Sequence, residues 1–438
     1  MAGRRRCNGA RGGVAVRVTI VLCALVLPGA SGCGSGGGGG GGSGGGGLSA
    51  LPPSAPAIVD DDALWLCTNR PERPHDGALG LRIAGVRECT AGSTAAVAGG
   101  DIYVAPGGDD ADTGDSPASA LRTLAEALCR AQPGQTVHLA PGTYREGAAL
   151  GALGSASSAP LVIRGEPQPG QPVVLDGERW RTHGIGLVEC WNVRIEGIRF
   201  EHYSDAGVWV LLGGGIELVD LEVTGCGRCS VEPDVEGEGF GINLLGVQGY
   251  TVANCRFEDN GPLLSEVLAG RVLGTGINTF ESSGGTIADN TITLTRGGGI
   301  LIEDGSAVTV TGNAIVDNFL LAYDNYWDGG VWVDGSRDVT LRDNTIERNY
   351  GGAGVQISDE EGRYPTSSKE IRLTGNTIRD NLGAGVLIWG YGQCPPPADA
   401  VLDHASLTTD NTIVNNRLQG SAADLLCDPT FLGGELPD

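Results

Sequence analysis

From residue 184 onward, apolar residues recur in short alternating runs, each introduced by a glycine. These glycines are Gly184, Gly207, Gly241, Gly276, Gly299, Gly330, Gly354 and Gly385. Each leads into an apolar-x-apolar triplet such as Val331-Trp332-Val333, then a turn and a second alternating run such as Thr340-Leu341-Arg342. A period of two predicts strands with one face inward and one outward. An Asn-x-Ile element closes the unit at Asn290, Asn313, Asn344, Asn376 and Asn411, and Ile198, Leu221 and Cys255 take that slot earlier. The glycines stand 23 to 35 residues apart, because the connections vary while the strands do not. One such unit cannot bury its apolar face alone, but a stack of them forms a continuous core. The pattern predicts an all-β fold, a right-handed parallel β-helix. A leucine-rich repeat would need a leucine framework, and a propeller four strands per blade. Asparagine at one corner is expected to satisfy turn backbone, and glycine at another to permit a tight chain path.

The open end of such a solenoid needs a cover. Residues 119–131 place Leu121, Leu124, Ala125 and Leu128 on one helical face, which predicts an N-terminal capping helix. The surrounding sequence is Ile102-Tyr103-Val104-Ala105-Pro106-Gly107-Gly108-Asp109-Asp110, then Leu121-Arg122-Thr123-Leu124, then Pro133-Gly134-Gln135-Thr136-Val137-His138-Leu139-Ala140-Pro141-Gly142-Thr143-Tyr144. It resembles the N-terminal cap of the pectate-lyase-like β-helix superfamily, in the version found in polysaccharide lyase family 9. The resemblance covers about residues 101–420 and implies the fold more specifically than any activity.

The N-terminus carries targeting signals. Arg4, Arg5, Arg6, Arg11 and Arg17 precede an apolar run from Val18 to Leu27, too short to span a bilayer. Ala30-Ser31-Gly32-Cys33 resembles a bacterial lipobox, with Ala30 where leucine is usual. It implies a signal peptide over 1–32, acylation of Cys33, and anchoring at the outer membrane or cell surface; an ordinary signal peptide is the alternative. Residues 33–57 read as a Gly/Ser-rich tether, 58–100 as a small cysteine-containing segment, and 101–438 as the β-helix. The formal charge of −24 becomes more negative once five arginines are cleaved away. Such a body repels nucleic acid and anionic lipid, so the membrane is reached through the anchor alone. The chain is expected to act as a monomer. Nine cysteines follow Cys33; in an oxidising compartment Cys67–Cys89 and Cys394–Cys427 are expected as local disulfides, and the odd count leaves a thiol over. Cys226-x-x-Cys229 lacks a second ligand pair for zinc.

Alignment of the first strands gives an outward column of Trp209, Asn243, Asn278, Leu301, Trp332, Gln356 and Leu387. Aromatic faces and amides in a row suit a sugar chain. Beyond the same strands, Glu303 stacks with Asp334 and Glu281 with Asp304, about 4.8 Å apart if the coils are adjacent. Like charges that close call for a bridging cation, solvent or a proton, and Ca2+ is the natural bridge. The segment 323–328 adds Asp324, Tyr326, Trp327 and Asp328, and a second acidic run holds Glu232, Asp234, Glu236 and Glu238.

The family resemblance implies a mechanism in which calcium neutralises a uronate carboxylate and a Lys or Arg removes the neighbouring proton. Lys369, the single lysine, is one candidate base, and Arg296 and Arg348 are others. Lys369 lies in a connection rather than on the expected strand face, the arginines carry no distinguishing signal, and the lyase family's calcium set does not map onto numbered positions. The motifs of polygalacturonases are absent, and His183 is expected to be a turn residue. Two readings stay open. One is a surface protein that binds an extracellular acidic polysaccharide or cell-wall glycan, with calcium-dependent β-elimination as its possible chemistry. The other is a non-catalytic adhesion or structural module. The long connections at 224–238, 258–273, 315–328 and 389–405 should flank the Trp/Asn column in the first case and scatter in the second.

Overall fold

A repeated inward-facing triplet per coil builds the core. A computed structural model describes Trp65, most of residues 72–100, and residues 101–229, 239–263, 274–320, 329–359, 367–418 and 421–428. These belong to one compact unit, Gly46–Asp438; the other unit, Met1–Gly45, lies outside the described residues. A typical coil consists of Gly298–Glu303, Ser306–Thr311 and Ala314–Val316, one strand in each of three sheets. Each strand pairs in parallel with its counterpart in the next coil, as in Ile300↔Val331, Thr309↔Thr340 and Ile315↔Ile346. The third sheet stacks ten strands, from Gly142–Tyr144 to Thr412–Val414. Ile300, Ile302, Val308, Val310 and Ile315 point inward and are buried in a single core running along the coils.

The corner residues explain the repeat. The glycine column follows the register of the first sheet, one residue before Ile300, Val331 and their equivalents. A Cβ on Gly299 would stand 2.5 Å from the Gly330 carbonyl oxygen and 2.6 Å from Ile315 Cγ2. The reason for glycine is therefore close approach between coils and to the third sheet, which is the tight chain path expected at this corner. The asparagine column forms a buried ladder. The backbone N–H and Nδ2 of Asn313 both donate to Asn344 Oδ1 at 3.0 Å, while Nδ2 also donates to the Ile287 carbonyl at 2.9 Å. Five residues further on runs a second ladder that the sequence reading missed, through Asn318, Asn349, Asn381 and Asn416. It ends where Asn416 Nδ2 donates to Asp424 Oδ1 at 3.0 Å. Each ladder follows a column of left-handed residues, Asp289 and Asp343 before one, Asp317, Arg348 and Asp380 before the other. Short Asx side chains tolerate that conformation better than most.

At the N-terminal end, the capping helix spans Leu124–Arg130, with Thr123 accepting from the Glu126 N–H. Glu146 accepts from the Leu124 and Ala125 N–H groups at 2.9 and 3.1 Å, covering the first orphan donors. The strand Arg87–Thr90 adds to the first sheet beside Ala148–Gly151, so the residues before 101 contribute an extra wrap rather than only a separate segment. Cys89 bonds Cys129 of the capping helix, Cα–Cα 4.9 Å, which corrects the expected Cys67–Cys89 pair. The wrap turns Cys89 towards the helix; Cys67 lies outside the described residues. Cys394–Cys427 forms as expected. Cys229 is disulfide-bonded, whereas Cys190, Cys226 and Cys255 are free and buried, so more than one thiol is left over among the described residues.

Candidate functional site

The outward column of the first sheet is in the expected register, from Trp209↔Asn243 and Asn243↔Asn278 to Leu301↔Trp332, Trp332↔Gln356 and Gln356↔Leu387. It is not an open surface. Trp209 is half-buried, while Asn243, Asn278, Trp332 and Gln356 are buried, at 5% exposure or less. Leu301, Trp332, Leu387 and Trp389 form a second apolar cluster outside the coil. Over the first coils, Leu81 and Ile83 pack on Ala149 and Val188, so the N-terminal segment roofs that part of the face. Asn278 Nδ2 donates to Asn243 Oδ1 at 2.9 Å, and Trp332 Nε1 to Ser358 Oγ at 2.8 Å.

The connections are not scattered. Those at 225–238, 259–273 and 317–328 all join a third-sheet strand to the start of a first-sheet strand. Those at 359–368 and 390–400 leave from the ends of first-sheet strands Ala353–Ser358 and Val386–Trp389. At the opposite corner, between second and third sheets, every link from Glu196 to Thr377 is two residues long. From Glu196 to Thr377, length variation is thus confined to the two borders of one face.

Two residues beyond the column, Glu303 pairs in register with Asp334, and Asp304 follows Glu281 at the next corner position, linked through backbone bonds to Glu303 and Asp334. Burial pushes Asp334 up to about 6; Ser358, donating to it at 2.6 Å, opposes this, while Asp304 and Asp359 reinforce it. Ser367 donates to Asp359 at 2.8 Å. Among the described residues no three His, Cys, Asp or Glu side chains converge into a metal-holding group. Asp324, Tyr326, Trp327, Asp328 and the acidic run at 232–238 lie outside the described residues, as does Cys33.

The three basic candidates are dispersed. Arg296 is fully buried and bonded to Asp259 at 2.9 Å, together with Arg228 at 2.6 Å. Arg348 is held by Asp317 at 3.0 Å and by Glu347, partners that keep it protonated well above the ordinary range. Lys369 bridges to Arg337 at the edge of the second sheet, 3.9 Å from Asp399. A side chain that sequence reasoning set aside is better placed. His183 is not a turn residue: it opens the strand His183–Glu196 and is buried, with Nε2 2.6 Å from Asp205 Oδ2 in the next coil. Its ring meets the edge of Trp209 at 4.8 Å between centroids. The signal was the His-to-Asp separation of one coil, legible only once coil length is known.

Comparison with known proteins adds context. A curated relative, the uncharacterised protein YwoF of Bacillus subtilis (strain 168), is 25% identical over 320 residues, 67% of this chain. The chain spans 64% of that relative's length. Among solved structures, an alginate lyase from Paenibacillus sp. str. FPU-7 is similar at TM-score 0.46 and 18% identity, covering 70% of this chain and 94% of that one. Pectate lyase Pel9A is similar at TM-score 0.45 and 13% identity, covering 74% and 81%. The model of the right-handed beta helix region matches residues 176–326, 274–396 and 322–425, which together span more than half of the sequence. With its stacked parallel coils, the chain belongs to the right-handed beta helix family.

Proposed function

We propose that this protein binds an extracellular polysaccharide along the outward face of the first sheet. The observation that carries this reading is that from Glu196 to Thr377 every long connection lies at a border of that face. A spacer has no need of such a distribution, whereas a binding site commonly varies in the connections that enter and leave its face. Trp209, Asn243, Asn278, Trp332 and Gln356 supply the aromatic and amide groups that recognise sugars. Their burial means that the covering chain must give way, or join the site, when a glycan is seated. In keeping with the Cys33 signal, the protein works from a lipid anchor at the cell surface; Cys33→Ala should abolish incorporation of labelled palmitate. For the face itself, Trp209→Ala and Trp332→Ala should each weaken retention on immobilised glycan at a temperature where both variants remain folded, the buried Trp332 also lowering the thermal midpoint. Unchanged retention in both would refute the reading.

A second reading, calcium-dependent β-elimination on a polyuronate, is favoured by the stacked carboxylates Glu281, Glu303, Asp304 and Asp334. Calcium held there would neutralise a substrate carboxylate. Of the basic candidates, only Lys369 is neither buried nor clamped between carboxylates. Incubation with polygalacturonate and alginate, with calcium or chelator, tests it through ultraviolet absorbance of unsaturated ends. A calcium-dependent rise supports elimination, and a flat trace on every polymer leaves a non-catalytic binder.

A further inference from the structure

We infer that the stretch of this face from Trp209 to Asn278 selects an uncharged, hydroxyl-rich sugar rather than a uronate. The inference rests on the proposed binding face and specifies its ligand. Among the described residues, two buried polar atoms on the outward column have no hydrogen-bond partner: Trp209 Nε1, a donor, and Asn278 Oδ1, an acceptor. Asn278 is buried, and its amide orientation is set by Nδ2 donating to Asn243 Oδ1 at 2.9 Å. Trp209 is held by the buried His183–Asp205 pair at its edge, which makes His183 a positioning residue. Buried groups left unmet keep the full cost of their desolvation, so a ligand that meets both recovers that loss.

The polarity of the two atoms discriminates between ligands. They stand two coil rises apart, roughly 10 Å, too far for one group to serve both. A sugar hydroxyl both accepts and donates, so successive hydroxyls can take the Trp209 N–H and give a proton to Asn278 Oδ1. A carboxylate only accepts; it would suit Trp209 but face Asn278 Oδ1 lone pair to lone pair. The charge distribution agrees. The column from Trp209 to Leu387 contains no basic residue, and a groove of about 460 Å³ at the adjoining corner is lined by Trp191, Gln248, Leu212 and Glu189, again with no cation. An acidic body whose described column and groove residues include no cation repels a polyanion there.

The test uses the full chain and intrinsic tryptophan fluorescence, titrated with soluble β-glucan, xylan and galactomannan and, separately, with polygalacturonate and alginate, each with calcium or chelator. The expected result is saturable binding of a neutral polymer, indifferent to chelator and salt. Trp209→Phe, which deletes the N–H but keeps an aromatic ring, should weaken it about tenfold. The paired Asn243→Leu/Asn278→Leu variant should do the same, and a retained thermal midpoint would separate lost recognition from lost folding. Binding of polyuronates in preference, or neutral binding unaffected by both variants, overturns the inference while leaving the binding face in place. No binding of any polymer overturns both.

Discussion

Asp334 is a carboxylate that the fold keeps away from water and beside other acids. Its folded-state value of about 6 lies above the ordinary 3.8, so between these the native state holds a proton that the unfolded chain has lost. This group's contribution to stability is greatest below about pH 4, falls as pH rises through 6, and is constant above. Asp334→Asn should flatten that part of the profile and raise the thermal midpoint at pH 7 relative to pH 4. If the acidic column holds calcium, millimolar calcium should flatten the wild-type profile as well; thermal melts across pH, with and without the ion, read both effects. The free thiols make a second residue-scale prediction. Burial pushes Cys190 up to about 11 and Cys226 and Cys255 to about 12. Native protein should therefore leave all three unalkylated at pH 8, and denaturant should expose them; mass-mapped labelling checks this.

At the scale of the element, the three-residue strands of the third sheet are too short to hold a corner by themselves. The asparagine ladders do that work from both ends of each strand. Asn344 accepts from two donors of Asn313 and donates to the Val310 carbonyl and to Asn376 Oδ1. Asn344→Ala strands these groups in a dry corner and should cost about 2–4 kcal/mol in chemical denaturation. Gly299→Ala drives a Cβ against Gly330 and Ile315 and should destabilise by about 1–3 kcal/mol through overpacking. An exposed third-sheet position such as Thr291 should tolerate alanine with little change, and equal costs at all three sites would refute the ladder argument.

At the scale of the molecule, stacked coils transmit nothing except through neighbours, so the ends decide how the solenoid begins to open. The N-terminal end is fastened by Cys89–Cys129, which closes a 40-residue separation between the outer wrap and the capping helix. Removing it by Cys89→Ser with Cys129→Ser should cost roughly 2–4 kcal/mol. Limited proteolysis should then start between 72 and 100 before any coil is cut. Early cleavage in the body instead would show that the cap is not the weak point.

The sequence by itself determined the coil. Inward side chains, the glycine column, one asparagine ladder and the outward register from Trp209 to Leu387 are all local periodicities, and a period survives without knowledge of contacts. The second ladder was equally local, five residues behind the first, but Thr295 interrupts it between Asn260 and Asn318, and Cys226 fills its slot one coil earlier. The candidate site was legible as a list and not as a surface. Whether Trp332 meets solvent depends on chain arriving from elsewhere, and the structure covers it. Partners separated by a whole coil were likewise decided only by tertiary structure: His183 with Asp205, Arg296 with Asp259, Cys89 with Cys129. Connection lengths set which residues face each other across coils, and those lengths follow no period. Periodic features belong to the repeat, whereas contacts between coils are decided where the repeat is interrupted.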